Sequence, residues 1–241
     1  MSLTTNHKLK NTTQIASGDK NDVYMDENND SYEKTIDIKN GLPYFDMKKL
    51  KSIRVLISGS SGSGKTYLCE KILEQIDPVI VYLFSSINDD DYKKFNVKRI
   101  DLNKIIEKTP MSINDIYELI ENDAIVIFDD VISFGSKQAK PYLELRLLCL
   151  TKGRHKNIST IIVEQQAQAG NSKGAREILL NCSYFVMFPR NNFRSFKAIT
   201  TQYLGLEKQT IEYLKSINSR YILLSKNHPA YYVSGVECGM I

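Results

Sequence analysis

The stretch Arg54-Val-Leu-Ile-Ser-Gly-Ser-Ser-Gly-Ser-Gly-Lys-Thr66 constrains the fold more than any other part of the chain. An apolar, β-branched run ends in a glycine-rich turn, and a helical pattern begins at Tyr67. The spacing G-x-x-x-x-G-K-S/T puts Gly59, Gly64, Lys65 and Thr66 at the fixed positions of a phosphate-binding loop. Glycines let the backbone curl until successive N–H groups point at one anion. The helix that follows adds its positive N-terminal end. Residues Gly59, Ser60, Ser61, Gly62, Ser63, Gly64, Lys65, Thr66 and Tyr67 are therefore expected to cradle a nucleoside triphosphate, ATP. Lys65 is expected to reach the β- and γ-phosphates, and the Thr66 hydroxyl to ligate Mg²⁺.

Around this loop the chain alternates strands and helices. Apolar runs at 53–58, 79–84, 124–128, 158–164 and 184–188 read as buried strands, with a shorter one at 97–100. Helical spacing covers 65–76, a region ending near Glu121, a segment carrying Tyr142, Leu145, Leu148 and Cys149, and 174–180 and 206–217. Strands at 220–225 and 230–236 close the chain. This order predicts an α/β, three-layer P-loop NTPase sandwich of the RecA/ASCE-like kind. Its central sheet is mostly parallel, with an antiparallel C-terminal extension. Residues 1–40 are polar, rich in Asn, Thr, Asp, Lys and Ser, and read as a disordered or loosely attached arm. Residues 41–241 read as one domain, in which Gly41-Leu-Pro-Tyr-Phe-Asp46 is expected to pack beside the nucleotide. The polar stretch 88–96 reads as a surface excursion.

Composition narrows the setting. Four scattered cysteines (Cys69, Cys149, Cys182, Cys238) form no C-x-x-C pair, which argues against zinc and against a disulfide framework and for a reducing compartment. No apolar run approaches the roughly 18 residues that a membrane span needs, and no signal peptide opens the sequence, so a soluble intracellular protein is expected. The formal charge of +4 is unevenly spread. Residues 51–136 carry 10 basic and 14 acidic groups, whereas 137–241 carry 15 basic and 6 acidic groups and no Asp. A basic C-terminal half suits a polyanionic partner.

Two further constellations carry chemistry. The run Ile125-Val-Ile-Phe-Asp129-Asp130 delivers two carboxylates at the end of a buried strand, the edge where open α/β sheets bind ligands. Asp129 is placed to hold Mg²⁺ opposite Thr66, and Asp130 to polarise the attacking water. Thr151-Lys-Gly-Arg154-His155 precedes the next strand, and Gln165-Gln166 follows it. A guanidinium can neutralise charge developing on a γ-phosphoryl group, and a glutamine can orient water or sense the γ-phosphate.

The set Gly59–Thr66, Asp129-Asp130, Lys152-Gly-Arg-His155 and Gln165, eleven residues beyond Arg154, resembles the FtsK–HerA superfamily of DNA-pumping ATPases. Within it, the Phe-Asp-Asp strand end, Gly-Arg-His-Lys-Asn-Ile-Ser and Ala175-Arg176-Glu-Ile-Leu-Leu-Asn181 resemble the genome-packaging branch of poxviruses, other large DNA viruses and virophages. The resemblance implies an ATP-hydrolysing motor that moves double-stranded viral DNA into a preformed capsid. It further implies a homo-oligomeric ring, a pentamer or hexamer, with capsid or vertex proteins as partners, in the host cytoplasm or at the viral assembly site. Arg154 would be the finger reaching a neighbour's nucleotide and Gln165 the sensor, with Gln166 as the alternative. His155 would belong to the motif and not to a metal site. Lys137, Lys140, Lys173 and Arg194, the last within the basic and aromatic run Arg190–Lys197, are the candidate DNA contacts. The alternatives are a non-viral DNA translocase of the same superfamily and a P-loop nucleotide or nucleoside kinase.

Overall fold

The computed structural model describes residues 2–5, 12–19, 21–26, 35–45, 50, 52–86, 92–165 and 173–241, without the side chains of Ser136 and Lys173. Among the described residues, five strands precede the one that leads into the glycine-rich loop: β1 (Ser2–Thr4), β2 (Thr12–Ser17), β3 (Asp22–Asp26), β4 (Thr35–Asp37) and β5 (Leu42–Pro43). The loop joins β6 (Arg54–Ser58) to α1 (Lys65–Ile76). There follow β7 (Val81–Ser85), β8 (Val97–Arg99), α2 (Leu102–Lys108), α3 (Ile113–Glu118) and β9 (Ile125–Asp129). Next come α4 (Ser136–Lys152), β10 (Ser159–Glu164), α5 (Lys173–Asn181) and β11 (Tyr184–Met187). The chain ends with α6 (Phe193–Leu204), α7 (Lys208–Ser216), β12 (Ile222–Ser225), β13 (Tyr231–Ser234) and β14 (Glu237–Met240).

Ten strands form one sheet in the order β4-β14-β13-β12-β11-β6-β10-β9-β7-β8. The six from β11 to β8 are parallel, and β12, β13, β14 and β4 extend them antiparallel. The expected α/β sandwich with an antiparallel extension is what the chain adopts. Strands buried on both faces need no apolar–polar alternation, which is why β6, β9 and β10 read as continuous apolar runs. On one face Val55, Ile57, Ile127 and Val163 pack against Leu68, Ile72 and Leu73 of α1. On the other, Leu56, Ile162 and Phe185 meet α5, α6 and α7, and Phe84, Val126 and Phe128 meet α2, α3 and α4.

The expectation of a loose arm over residues 1–40 gives way at the described residues. β1, β3, β2 and β5 form a second, four-stranded sheet, while β4 joins the edge of the large one through β14. Leu3, Ile15, Ala16, Val23, Ile36 and Ile38 are buried in the same cluster as α1. The reason is geometric. Ten strands span about 45 Å of sheet width, and α1, about 10–12 Å across, cannot cover that face alone. The N-terminal strands cover the remainder with few apolar side chains, hence the polar composition.

Three smaller differences matter for the site. Of the expected excursion at 88–96, residues 88–91 lie outside the described residues, and Tyr92 is interior, only 1% exposed. The helical region before Glu121 is two short helices, each started by a side-chain cap, Asp101 for α2 and Ser112 for α3. Arg190–Lys197 is not an open basic loop: Asn192 caps α6, Phe196 is fully buried, and Lys215 lies over the Phe193 ring at 4.0 Å.

Truncating Ile15, buried beneath the N-terminal sheet, is expected to cost about 2–5 kcal/mol of stability. Chemical denaturation of Ile15→Ala checks this; an unchanged midpoint would mean that the N-terminal strands do not help to cover the sheet.

Candidate functional site

The loop is tied to its neighbours at both ends. The Gly59 N–H donates to the Glu164 carbonyl of β10 (3.2 Å), and the Leu68 N–H donates to Gly64 at the start of α1 (3.0 Å). A Cβ on Gly59 would lie 2.5 Å from the Phe188 ring and 2.7 Å from the Ser63 hydroxyl, so only glycine fits. Gly64 takes φ 99° as it enters α1, a conformation that a side chain would strain. Lys65 Nζ donates to the Ser60 carbonyl at 2.9 Å, folding the lysine back over the loop. Burial lowers the Lys65 pKa, and Asp129 and Asp130 pull it back up, which places the ammonium in the field of both carboxylates.

Strand order sets the rest. β10 lies between β6 and β9, with Val163 paired to Ile57 on one side and to Asp129 on the other. Two strand spacings, about 10 Å, therefore separate the loop strand from the acidic strand end. Tyr92 donates its hydroxyl to Asp129 Oδ2 at 3.0 Å. Burial, with Cys69 and Asp129 adding, pushes the Tyr92 pKa well up, so its hydroxyl stays protonated and donates. The Tyr92 amide donates to Glu70 of α1 at 3.2 Å, linking the acidic strand end to the helix that follows the loop.

Asp130 turns the chain at φ 49°, ψ 35°. Its N–H donates to Val163 (2.9 Å), and its carbonyl accepts from the Ser86 (3.1 Å) and Ser133 (2.7 Å) hydroxyls. Gln165 Nε2 donates to Asp130 Oδ2 at 3.3 Å. The structure thus brings together the loop, both carboxylates and Gln165; Gln166 lies outside the described residues.

Arg154 is elsewhere. It sits exposed in a tight turn, Gly153–Lys156, before β10, whereas Gln165 follows the same strand. Six strand residues put about 20 Å between them. Of the DNA candidates, Lys137 and Lys140 are exposed in the first turns of α4, and Arg194 is exposed in the first turn of α6. Lys173 opens α5. All three helices begin on the loop side of the sheet, after β9, β10 and β11.

Sequence reasoning missed one ion pair and two further residues. Arg146 of α4 and Glu164 form an ion pair of 2.5 Å, with side chains 4% and 6% exposed. Burial pushes the Glu164 carboxyl up while Arg146 holds it down. A lone glutamate inside the run Ile161-Ile-Val-Glu164 was the available signal. Tyr92 was hidden in a polar stretch, and Arg220, which donates to the Ser63 carbonyl at 3.5 Å, had no local signal at all.

As to a metal, the Thr66 hydroxyl and the Asp129 carboxylate are hard oxygen donors, of the kind that Mg²⁺ takes beside phosphate oxygens and water. With Asp129 oriented by Tyr92 and Lys65 in the field of the same carboxylate, this donor set fits the ion.

A glycine-rich loop opening onto a helix, with a strand followed by a glutamine between it and an acidic strand end, defines a P-loop NTPase. A family model described as "Poxvirus A32 protein" matches residues 44–223, and the chain belongs to that family. It is 26% identical over 191 residues to the "Uncharacterized protein V3" of Sputnik virophage, covering 76% of each chain. Among solved structures, it is similar to the pCW3 conjugation coupling protein TcpA with ATPγS (TM-score 0.52, 15% identity, 95% of this chain and 77% of that one). It is also similar to the genome packaging NTPase B204 of Sulfolobus turreted icosahedral virus 2 in complex with AMPPCP (TM-score 0.45, 13% identity, 78% and 97%). At such identities the likeness to TcpA concerns the fold.

Removing one partner of a buried ion pair strands the other charge. Arg146→Met is expected to lose about 3–5 kcal/mol, and Arg146→Met with Glu164→Leu to recover most of it. Equal losses in urea unfolding would mean that the pair is not a coupled unit.

Proposed function

We propose that this chain is an ATP-hydrolysing motor that translocates double-stranded viral DNA into a preformed capsid. The observation that carries the reading is the split of the site across the sheet. Lys65, Asp129, Asp130 and Gln165 gather at one edge, and Arg154 is exposed at the other. A subunit so built keeps Arg154 away from its own nucleotide and offers it to a neighbour, which head-to-tail packing in a ring satisfies. Membership of the poxvirus A32 family supports the viral setting.

In this reading the loop amides and Lys65 hold the β- and γ-phosphates. Thr66 and Asp129 would hold Mg²⁺, which when bound neutralises charge on those phosphates. Asp130 accepts the proton of the attacking water, and Gln165, bonded to Asp130, positions that water against the γ-phosphorus. Arg154 of the adjacent subunit stabilises the charge on the transferring group. Little covalent chemistry is asked of the protein, so misplacement of any one part is costly. Lys137, Lys140, Lys173 and Arg194, at the starts of three helices on the loop side, are the proposed contacts to the DNA backbone. Among the described residues, no helix is long and apolar enough to cross a membrane. In this reading the motor works in the host cytoplasm or at the viral assembly site, with capsid or vertex proteins as further partners.

The expected result is weak ATP hydrolysis by dilute monomer and a rise of at least about tenfold when double-stranded DNA and a ring are both present. Phosphate release measured alongside oligomeric mass, with and without DNA, checks this. A monomer indifferent to DNA that passes phosphate to a nucleoside would restore the kinase reading.

A further inference from the structure

Beside the loop, on the side away from Asp129, lies a cleft of about 770 Å³. Its floor is Ser63, Gly64 and the first turn of α1, where Tyr67 stands 62% exposed. One wall is the segment 218–221 with Arg220. The outer wall is Asp19 with Asn40, Gly41 and Leu42, which stand before residue 44, where the family match begins.

That wall is built, not draped. The Asp19 N–H donates to Lys39 (2.7 Å), and Asn40 Nδ2 donates to Asp19 Oδ2 (2.7 Å). The Gly41 N–H donates to Gly235 (3.0 Å), and the Tyr221 hydroxyl donates to the Gly41 carbonyl. A Cβ on Gly41 would lie 2.1 Å from Ile38 Cδ1 and 2.7 Å from the Ser234 carbonyl, so this backbone is seated as closely as it can be.

Resting on the proposed nucleotide site, the direction of the ligand follows. The γ-phosphate must face Asp129, Asp130 and Gln165, on the β10 and β9 side of the loop. The α-phosphate and everything attached to it then point the other way, toward β11 and β12, where the cleft opens. Its volume lies within the usual range for a small-molecule site, about 300–1,000 Å³, and Tyr67 offers an aromatic face to a base. We propose that this cleft holds the base and ribose of the bound nucleotide, and that the N-terminal segment supplies its outer wall. The N-terminal strands are then part of the nucleotide site, and their packing is linked to its occupancy.

Two variants of the full chain test this, with ATP and inorganic tripolyphosphate as probes. Asp19→Ala with Asn40→Gly removes the polar wall while leaving a residue that tolerates the Asn40 backbone, φ 49°. Val236→Trp projects bulk into the cleft from a residue already 37% exposed. Both are expected to weaken ATP binding about tenfold and to leave tripolyphosphate binding within about twofold, with unchanged thermal unfolding. ATP binding unchanged in both, or both probes weakened alike, would overturn the inference. A wild-type chain that binds tripolyphosphate as tightly as ATP would overturn it while sparing the phosphate loop. A wild-type chain that binds neither would overturn the loop reading as well.

Discussion

Strand β10 hydrogen-bonds to β6 through residues 160–164 and to β9 through residues 159–163, so it is held on both sides along its whole length. Every part of the candidate site depends on that placement. Its last residue accepts from Gly59, the first residue of the loop; the residue after it reaches Asp130; and the turn before it carries Arg154. A strand buried on both faces fixes the distance between Gln165 and Arg154 in one chain. Little tolerance is left for either to drift, because slipping the register by one residue would exchange the side chains packed against α1 with those packed against the helices on the other face.

The Arg146–Glu164 pair ties the same strand to α4, the helix that starts after the acidic strand end and runs to the Arg154 turn. Buried pairs of this kind are weak evidence for net stability, since desolvation offsets most of the attraction. Here the geometric effect is the more informative one: the helix that leads into the Arg154 turn is pinned beside the strand that leads into Gln165. Tyr92 performs a comparable task for Asp129, with its amide fixed on α1 through Glu70. Both contacts fasten candidate site residues to helices packed on the central sheet.

Much of this was legible in the sequence. Gly59–Thr66 follows a mechanism that demands particular residue types at fixed spacing, and the buried strands announced themselves as continuous apolar runs. Asp129-Asp130 and Gln165 were readable because strand ends in such sheets face the ligand. What was not legible arises from long-range packing. The N-terminal strands bury only a few apolar residues each, and their value depends on an uncovered sheet face more than 100 residues away in sequence. Phe193 and Phe196 looked like nucleic-acid contacts because interleaved charge and aromaticity also describes one amphipathic helix, and α6 buries that apolar side. Tyr92 and Arg220 meet the site only after the chain has folded, so no local pattern marks them.

The central claim is that one active site is shared between two neighbouring subunits, and complementation tests it most directly. Lys65→Ala cannot hold the phosphates, and Arg154→Ala cannot serve its neighbour, so each should be inactive alone. Mixed in equal amounts under ring-forming conditions with DNA, they should regain about a quarter of wild-type ATP hydrolysis, the share of interfaces that join an intact loop to an intact arginine. Mixtures that stay as inactive as their components, or an Arg154→Ala ring that hydrolyses ATP like the wild type, would contradict the account.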